Sequence, residues 1–183
     1  PYFYPGSMMY LNARGMDIKK LDVFEVLEVT KSKTEKAEVL NPVAAAVYRY
    51  ENDSLKINLG KTFTADKKYM VKIEYVSRPN ELKNAKGSAA ITDDKGLYFI
   101  NPTGENPYKM PQIWTQGETQ SNSVWMPTID SPNEKMTQEI YMTVEDKFTT
   151  LSNGLLTDSK KNPDGTRTDH WKLDQPHSPY LAM

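Results

Sequence analysis

The apolar residues of this chain recur every second position. From 69 to 76 it reads YMVKIEYV. Tyr69, Val71, Ile73 and Tyr75 fall on one side of an extended backbone, and Met70, Lys72, Glu74 and Val76 on the other. A helix would scatter these residues around its axis, so the pattern predicts a half-buried strand. Leu55, Ile57 and Leu59 repeat it after the turn residues Asn52, Asp53 and Ser54. Leu21, Val23, Glu25, Leu27 and Val29 share one face of another strand, with Phe24 and Val26 opposite. Shorter strands are expected at 8–13, 46–50, 97–100, 140–144 and 169–173. Breakers separate them: Arg78-Pro79-Asn80, the Pro- and Gly-containing run 101–107, Asp130-Ser131-Pro132-Asn133, and Asn162-Pro163-Asp164-Gly165. The last predicts a hairpin. Short helical turns are expected near 79–84 and 120–123. Many short strands at this spacing predict an all-β fold, an antiparallel β-sandwich, in a single domain over residues 1–183.

Composition removes several function classes. Lys and Arg number 23 against 24 Asp and Glu, so no basic surface exists for nucleic acid or for an anionic membrane. No apolar run approaches the ~20 residues of a membrane span. There is no cysteine, which excludes disulfides, thiol catalysis and Cys-ligated zinc. This suits cytoplasm and periplasm equally, and the Tyr- and Asn-rich composition leans toward an exported bacterial protein. The two histidines, His170 and His177, are read as a strand-edge residue and a loop residue, and no H-E-x-x-H motif accompanies them. No metal site is expected in this chain. Asp93-Asp94 and Glu145-Asp146 read as solvated turns. No G-x-S-x-G elbow and no phosphate-cradling glycine loop is present.

The stretch 101–126 has weak periodicity and dense polar and aromatic content, which marks a long functional loop. Within it Gln116 and Glu118 stand two apart, flanked by Trp114 and Trp125. In an extended segment both side chains project from one face. A carboxylate accepts charge-assisted hydrogen bonds from an ammonium group, and an amide both donates and accepts. An alternative is a stand-alone carbohydrate-binding or adhesion sandwich, in which Trp114, Trp125 and Trp171 stack on sugars.

The order of short motifs adds to this reading. Gly96-Leu97-Tyr98-Phe99 precedes Thr115-Gln116-Gly117-Glu118. Pro127-Thr128-Ile129-Asp130-Ser131-Pro132 follows, then Leu151-Ser152-Asn153-Gly154. Pro176-His177-Ser178-Pro179-Tyr180-Leu181 closes the series, and Ile73-Glu74-Tyr75 with Arg78-Pro79 stands upstream. Over residues 55–183 the chain resembles the N-terminal domain of zinc aminopeptidases of the aminopeptidase N type, the gluzincins; the first 50 residues fit only as generic strands. The resemblance implies a saddle-like β-sandwich that packs on a separate catalytic zinc domain of the same chain. It implies that the zinc, its ligands and the general base belong to that domain, which would follow residue 183. It further implies that Gln116 lines the pocket for the first substrate side chain and that Glu118 binds the free α-amine of a peptide substrate. The domain alone is then non-catalytic and is expected to be truncated at both ends. Self-association is expected through the loop at 114–126. One departure stands out: Ser121-Asn122-Ser123-Val124-Trp125 lacks the arginines common in the family loop, which suggests a divergent branch.

Overall fold

The structure, a computed structural model, describes residues 4–30, 36–82 and 95–183. Eleven strands are described: β1 (Gly6–Asn12), β2 (Met16–Thr30), β3 (Lys36–Pro42), β4 (Val47–Glu51), β5 (Ser54–Phe63), β6 (Lys68–Ser77), β7 (Leu97–Ile100), β8 (Gln112–Thr115), β9 (Met136–Glu145), β10 (Leu155–Lys161) and β11 (Thr166–His177). All paired strands are antiparallel. They form sheets of order β1-β5-β4, β3-β2-β6 and β10-β11-β9, with β7-β8 as a two-stranded ribbon. Three 3-10 turns lie at Pro79–Glu81, Asn122–Val124 and Pro179–Leu181. Two of them fall where short helical turns are expected. Asp93 and Asp94 lie outside the described residues.

The first two sheets make the sandwich, because their period-two faces meet. Leu55, Ile57 and Leu59 from β5 are fully buried and cluster with Leu11, Met16, Val23 and Phe63. Tyr69, Val71, Ile73 and Tyr75 of β6 pack against this cluster, the face that alternation predicts. Burying a side chain of this kind contributes roughly 1.5–3 kcal/mol. Ile57→Val deletes one buried methyl, and we expect it to lower stability by about 1 kcal/mol in urea melts with an unchanged m-value. A loss below the error of the melt would mean that the cluster is loosely packed.

The β10-β11-β9 sheet is organised by polar contacts. Asp169 on β11 is buried, and its carboxylate accepts from Arg167 Nε at 2.9 Å and Nη2 at 3.0 Å. It also accepts from Ser159 Oγ and Thr150 Oγ1, each at 2.6 Å. These bonds, led by Arg167, hold the Asp169 carboxyl well below the usual carboxylate range. Arg167 also donates to the Asp146 and Phe148 carbonyls, and Trp171 Nε1 donates to Thr150 Oγ1. The connection between β9 and β10 is thereby strapped onto the sheet.

His170 stands on the central strand of this sheet, not at a strand edge as expected, because β11 pairs on both sides. His177 is the last residue of β11 rather than a loop residue. The His170 ring stacks on Tyr141 with centroids 4.0 Å apart. Among the described residues, no helix is long and apolar enough to cross a membrane.

Candidate functional site

Gln116 and Glu118 sit where the ribbon turns into the body of the domain. Strand β8 ends at Thr115, and the Gln116 amide extends the ladder by donating to the Gly96 carbonyl at 2.9 Å. Gln116 is half-buried, Gly117 is buried, and Glu118 is exposed and opens a turn instead of continuing the strand. The Glu118–Thr119 peptide is cis. Two glycines allow this path. A Cβ on Gly117 would lie 2.2 Å from the Tyr180 carbonyl and 2.6 Å from the Asn122 amide. Gly96 has φ +63°, and a Cβ there would meet the Ser121 carbonyl at 2.0 Å.

The turn after Glu118 is anchored from three sides. Asn122 is fully buried and donates to the carbonyls of Pro179 at 2.7 Å and Ala182 at 3.1 Å. Its Oδ1 accepts Trp125 Nε1 at 2.9 Å. Tyr75 on β6 donates to the Trp125 carbonyl at 2.8 Å, and Ser77 to the Val124 carbonyl at 2.6 Å. Burial raises the Tyr75 phenol above its ordinary value, so it remains a neutral donor. From β1, the Asn12 amide donates to the Thr128 carbonyl at 2.8 Å and the amide of Asp130 donates to Asn12 Oδ1 at 3.1 Å. The buried Asp130 carboxylate accepts the Ser123 amide at 3.0 Å. The loop therefore has little freedom to shift.

On this mount the Gln116 and Glu118 side chains have no hydrogen-bond or ion-pair partner among the described residues. An exposed carboxylate beside a half-buried amide, both held on a fixed backbone, can receive a cation carrying its own donors.

Other motifs prove to be joints. Ser152 and Asn153 hold the last turn: Asn153 Oδ1 accepts the Met183 amide at 2.7 Å, and Ser152 donates to the Met183 carbonyl. Ser178 Oγ donates to the Pro132 carbonyl at 2.7 Å. The residues missed from sequence are Asn122 and Asp130.

The three tryptophans stand on separate elements. Trp114 on β8 stacks on Tyr98, while Trp125 and Trp171 are held through their Nε1 groups. No two of them form a stacked pair among the described residues. Within the loop at 114–126, Ser121, Asn122, Ser123 and Val124 are buried, while Trp114 and Glu118 are exposed.

The sequence profile of the Peptidase M1 N-terminal domain matches residues 7–181, so the match includes the first strands as well as the motif-bearing part. The chain belongs to the M1 peptidase N-terminal domain family. Its fold is similar to that of an M1 zinc metallopeptidase from Deinococcus radiodurans, with TM-score 0.70 and 13% identity over 98% of this chain and 34% of that one. A two-domain M1 zinc metallopeptidase variant bound to L-arginine gives the same values. Aminopeptidase A of Legionella pneumophila in complex with aspartic acid aligns with TM-score 0.64 and 16% identity, over 97% of this chain and 17% of that one. The chain thus spans about a third of the length of the first two and a smaller part of the last. No curated protein matches it in sequence.

Proposed function

We propose that this chain is the substrate-end domain, one β-sandwich domain over residues 1–183, of a zinc aminopeptidase whose catalytic domain belongs to the same polypeptide. The observation that carries this reading is the unpartnered Gln116–Glu118 pair on a loop fixed from three sides, in a chain of the M1 N-terminal family. The share of the similar metallopeptidases that it covers leaves room for a catalytic partner domain. Glu118 accepts hydrogen bonds from the α-ammonium of a peptide, and Gln116 borders its first side chain. An internal peptide bond offers no α-ammonium to this carboxylate, so the pair favours chain ends.

Zinc does not fit the donors of the described residues. Both ring nitrogens of His170 are engaged, Nε2 with Glu139 at 2.7 Å and Nδ1 with Thr157 at 2.9 Å, and His177 Nδ1 lies 2.9 Å from the Ser178 carbonyl. No three His, Asp or Glu side chains gather into a ligand set among the described residues. In this reading the metal belongs to the catalytic domain, and this domain contributes binding alone.

The test is Glu118→Ala in the full-length protein. A hydrogen bond to a charged group is worth about 1.5–3 kcal/mol. We expect kcat/KM on peptides with a free amine to fall by roughly 10- to 100-fold, mainly through KM. Unchanged kinetics would remove the role assigned to Glu118.

A further inference from the structure

We propose that the cleft between the sandwich and the 127–136 segment binds a free amino acid with an apolar side chain.

The cleft lies where the two sheets of the sandwich end. β1 and β6 are edge strands of their sheets. Val71 and Ile73, on the core face of β6, are only half-buried. The 127–136 segment crosses this side of the sandwich, tied to β1 by the paired backbone bonds of Asn12 and Thr128 at 2.8 and 3.0 Å. It leaves about 380 Å³ open against Met9, Leu11, Val71 and Ile73, with Met136 and Pro179 also in the walls. Small-molecule sites occupy roughly 300–1,000 Å³ and are mostly apolar in the same way.

Four polar side chains line this cleft with their bonding capacity unspent. Thr128 is 8% exposed, and its hydroxyl has no partner among the described residues. The Tyr69 hydroxyl has none either, and burial raises the phenol above its ordinary value, so it stays neutral. Glu134 is half-buried and fixed by a turn, its amide donating to the Ser131 carbonyl at 3.0 Å. Its carboxylate has no ion pair among the described residues, and the exposed ammonium of Lys135 beside it has none. A simple anion here is repelled by Glu134, and a simple cation by Lys135. A zwitterion satisfies both, its carboxylate on Lys135 and its ammonium on Glu134. The two hydroxyls supply further donors, and the apolar walls take an aliphatic or aromatic side chain. Free amino acids are what an aminopeptidase releases, so in the proposed function the cleft is a site for product. That consequence rests on that reading; the binding itself does not.

The test uses the full-length protein with carbon-13 at the methionine methyls, since Met9 and Met136 line the cleft. L-Leucine is expected to shift both signals saturably. Isocaproate, which lacks the ammonium, and isoamylamine, which lacks the carboxylate, are expected to bind at least about tenfold more weakly. Lys135→Met and Glu134→Gln are each expected to weaken leucine by about tenfold without lowering Tm. Unshifted Met9 and Met136 signals overturn the proposal, the result expected if another segment of the protein fills the cleft. Equal affinity for leucine and its two fragments overturns it as well.

Glu118→Ala separates this site from the amine reading. Leucine is expected to shift Met9 and Met136 in that variant as in the parent, and loss of the shifts there overturns the cleft. If Glu118→Ala leaves peptide kinetics unchanged, the amine site is wrong, while the leucine titration still decides the cleft.

Discussion

Asn122→Ala will destabilise the domain by about 3–5 kcal/mol and release the loop that carries Gln116 and Glu118. The buried amide of Asn122 makes three bonds: to the Pro179 and Ala182 carbonyls and from Trp125 Nε1. Truncation strands the Ala182 carbonyl and the Trp125 Nε1 donor, while the Pro179 carbonyl keeps only the Ala182 amide at 3.0 Å, and each unsatisfied buried group costs roughly 1–3 kcal/mol. Asn122→Asp restores the acceptor for Trp125 but loses both donations and places a carboxylate against two carbonyls, so it will fall near the alanine variant. Urea melts give the energies, and limited proteolysis near 117–126 reports the loosened loop. A variant that melts within 0.5 kcal/mol of the parent, with unchanged proteolysis, would show that this joint does not hold the loop.

Asp169→Ala will cost about 3 kcal/mol at neutral pH, because it leaves the Arg167 guanidinium without its main partner on a mostly covered strand. The pH dependence follows from the direction of the shift. The Asp169 carboxyl titrates below its ordinary value in the fold, so the unfolded chain binds the proton more readily. Its contribution is fully present above about pH 4, the unfolded value, and fades as the pH falls below that. The gap in melting temperature between parent and variant will be constant from pH 7 to about pH 5 and will narrow in more acidic buffer. A gap that widens on acidification contradicts the assignment.

Much of the sandwich was legible because alternation and burial are two aspects of one fact in β5 and β6. Leu55, Ile57 and Leu59 alternate because one side of the strand meets the core and the other meets water. Strand β3 carried no such signal. Val39 and Leu40 are adjacent and both exposed, and the strand forms by pairing with the far half of β2. Strand β8 looked like loop because its four residues draw their partner, β7, from 15 or so positions upstream. β10 is exposed along its whole length, so its own residues carry no strand signal, and only the Asn162–Gly165 turn announced it as a hairpin arm. Gln116 and Glu118 are proposed on chemistry and motif order. Asn122 and Asp130 were missed because a buried polar residue in a loop has the same spelling as a solvated one. What distinguishes Asn122 is the pair of carbonyls it meets 57 and 60 residues on, which no local window contains, while Asp130 turns inward to the Ser123 amide seven residues back.

The anchoring of the loop also sets a schedule for the ribosome. Every strand of the two-sheet sandwich has been translated by Ser77, so its core can close while the rest is still being made. Asn122 finds its carbonyl acceptors only when residues 179 and 182 have left the exit tunnel. The nascent domain thus acquires its scaffold first and the loop that carries Gln116 and Glu118 last. A half-made chain is folded at one end and still without the anchors of the 116–130 loop at the other.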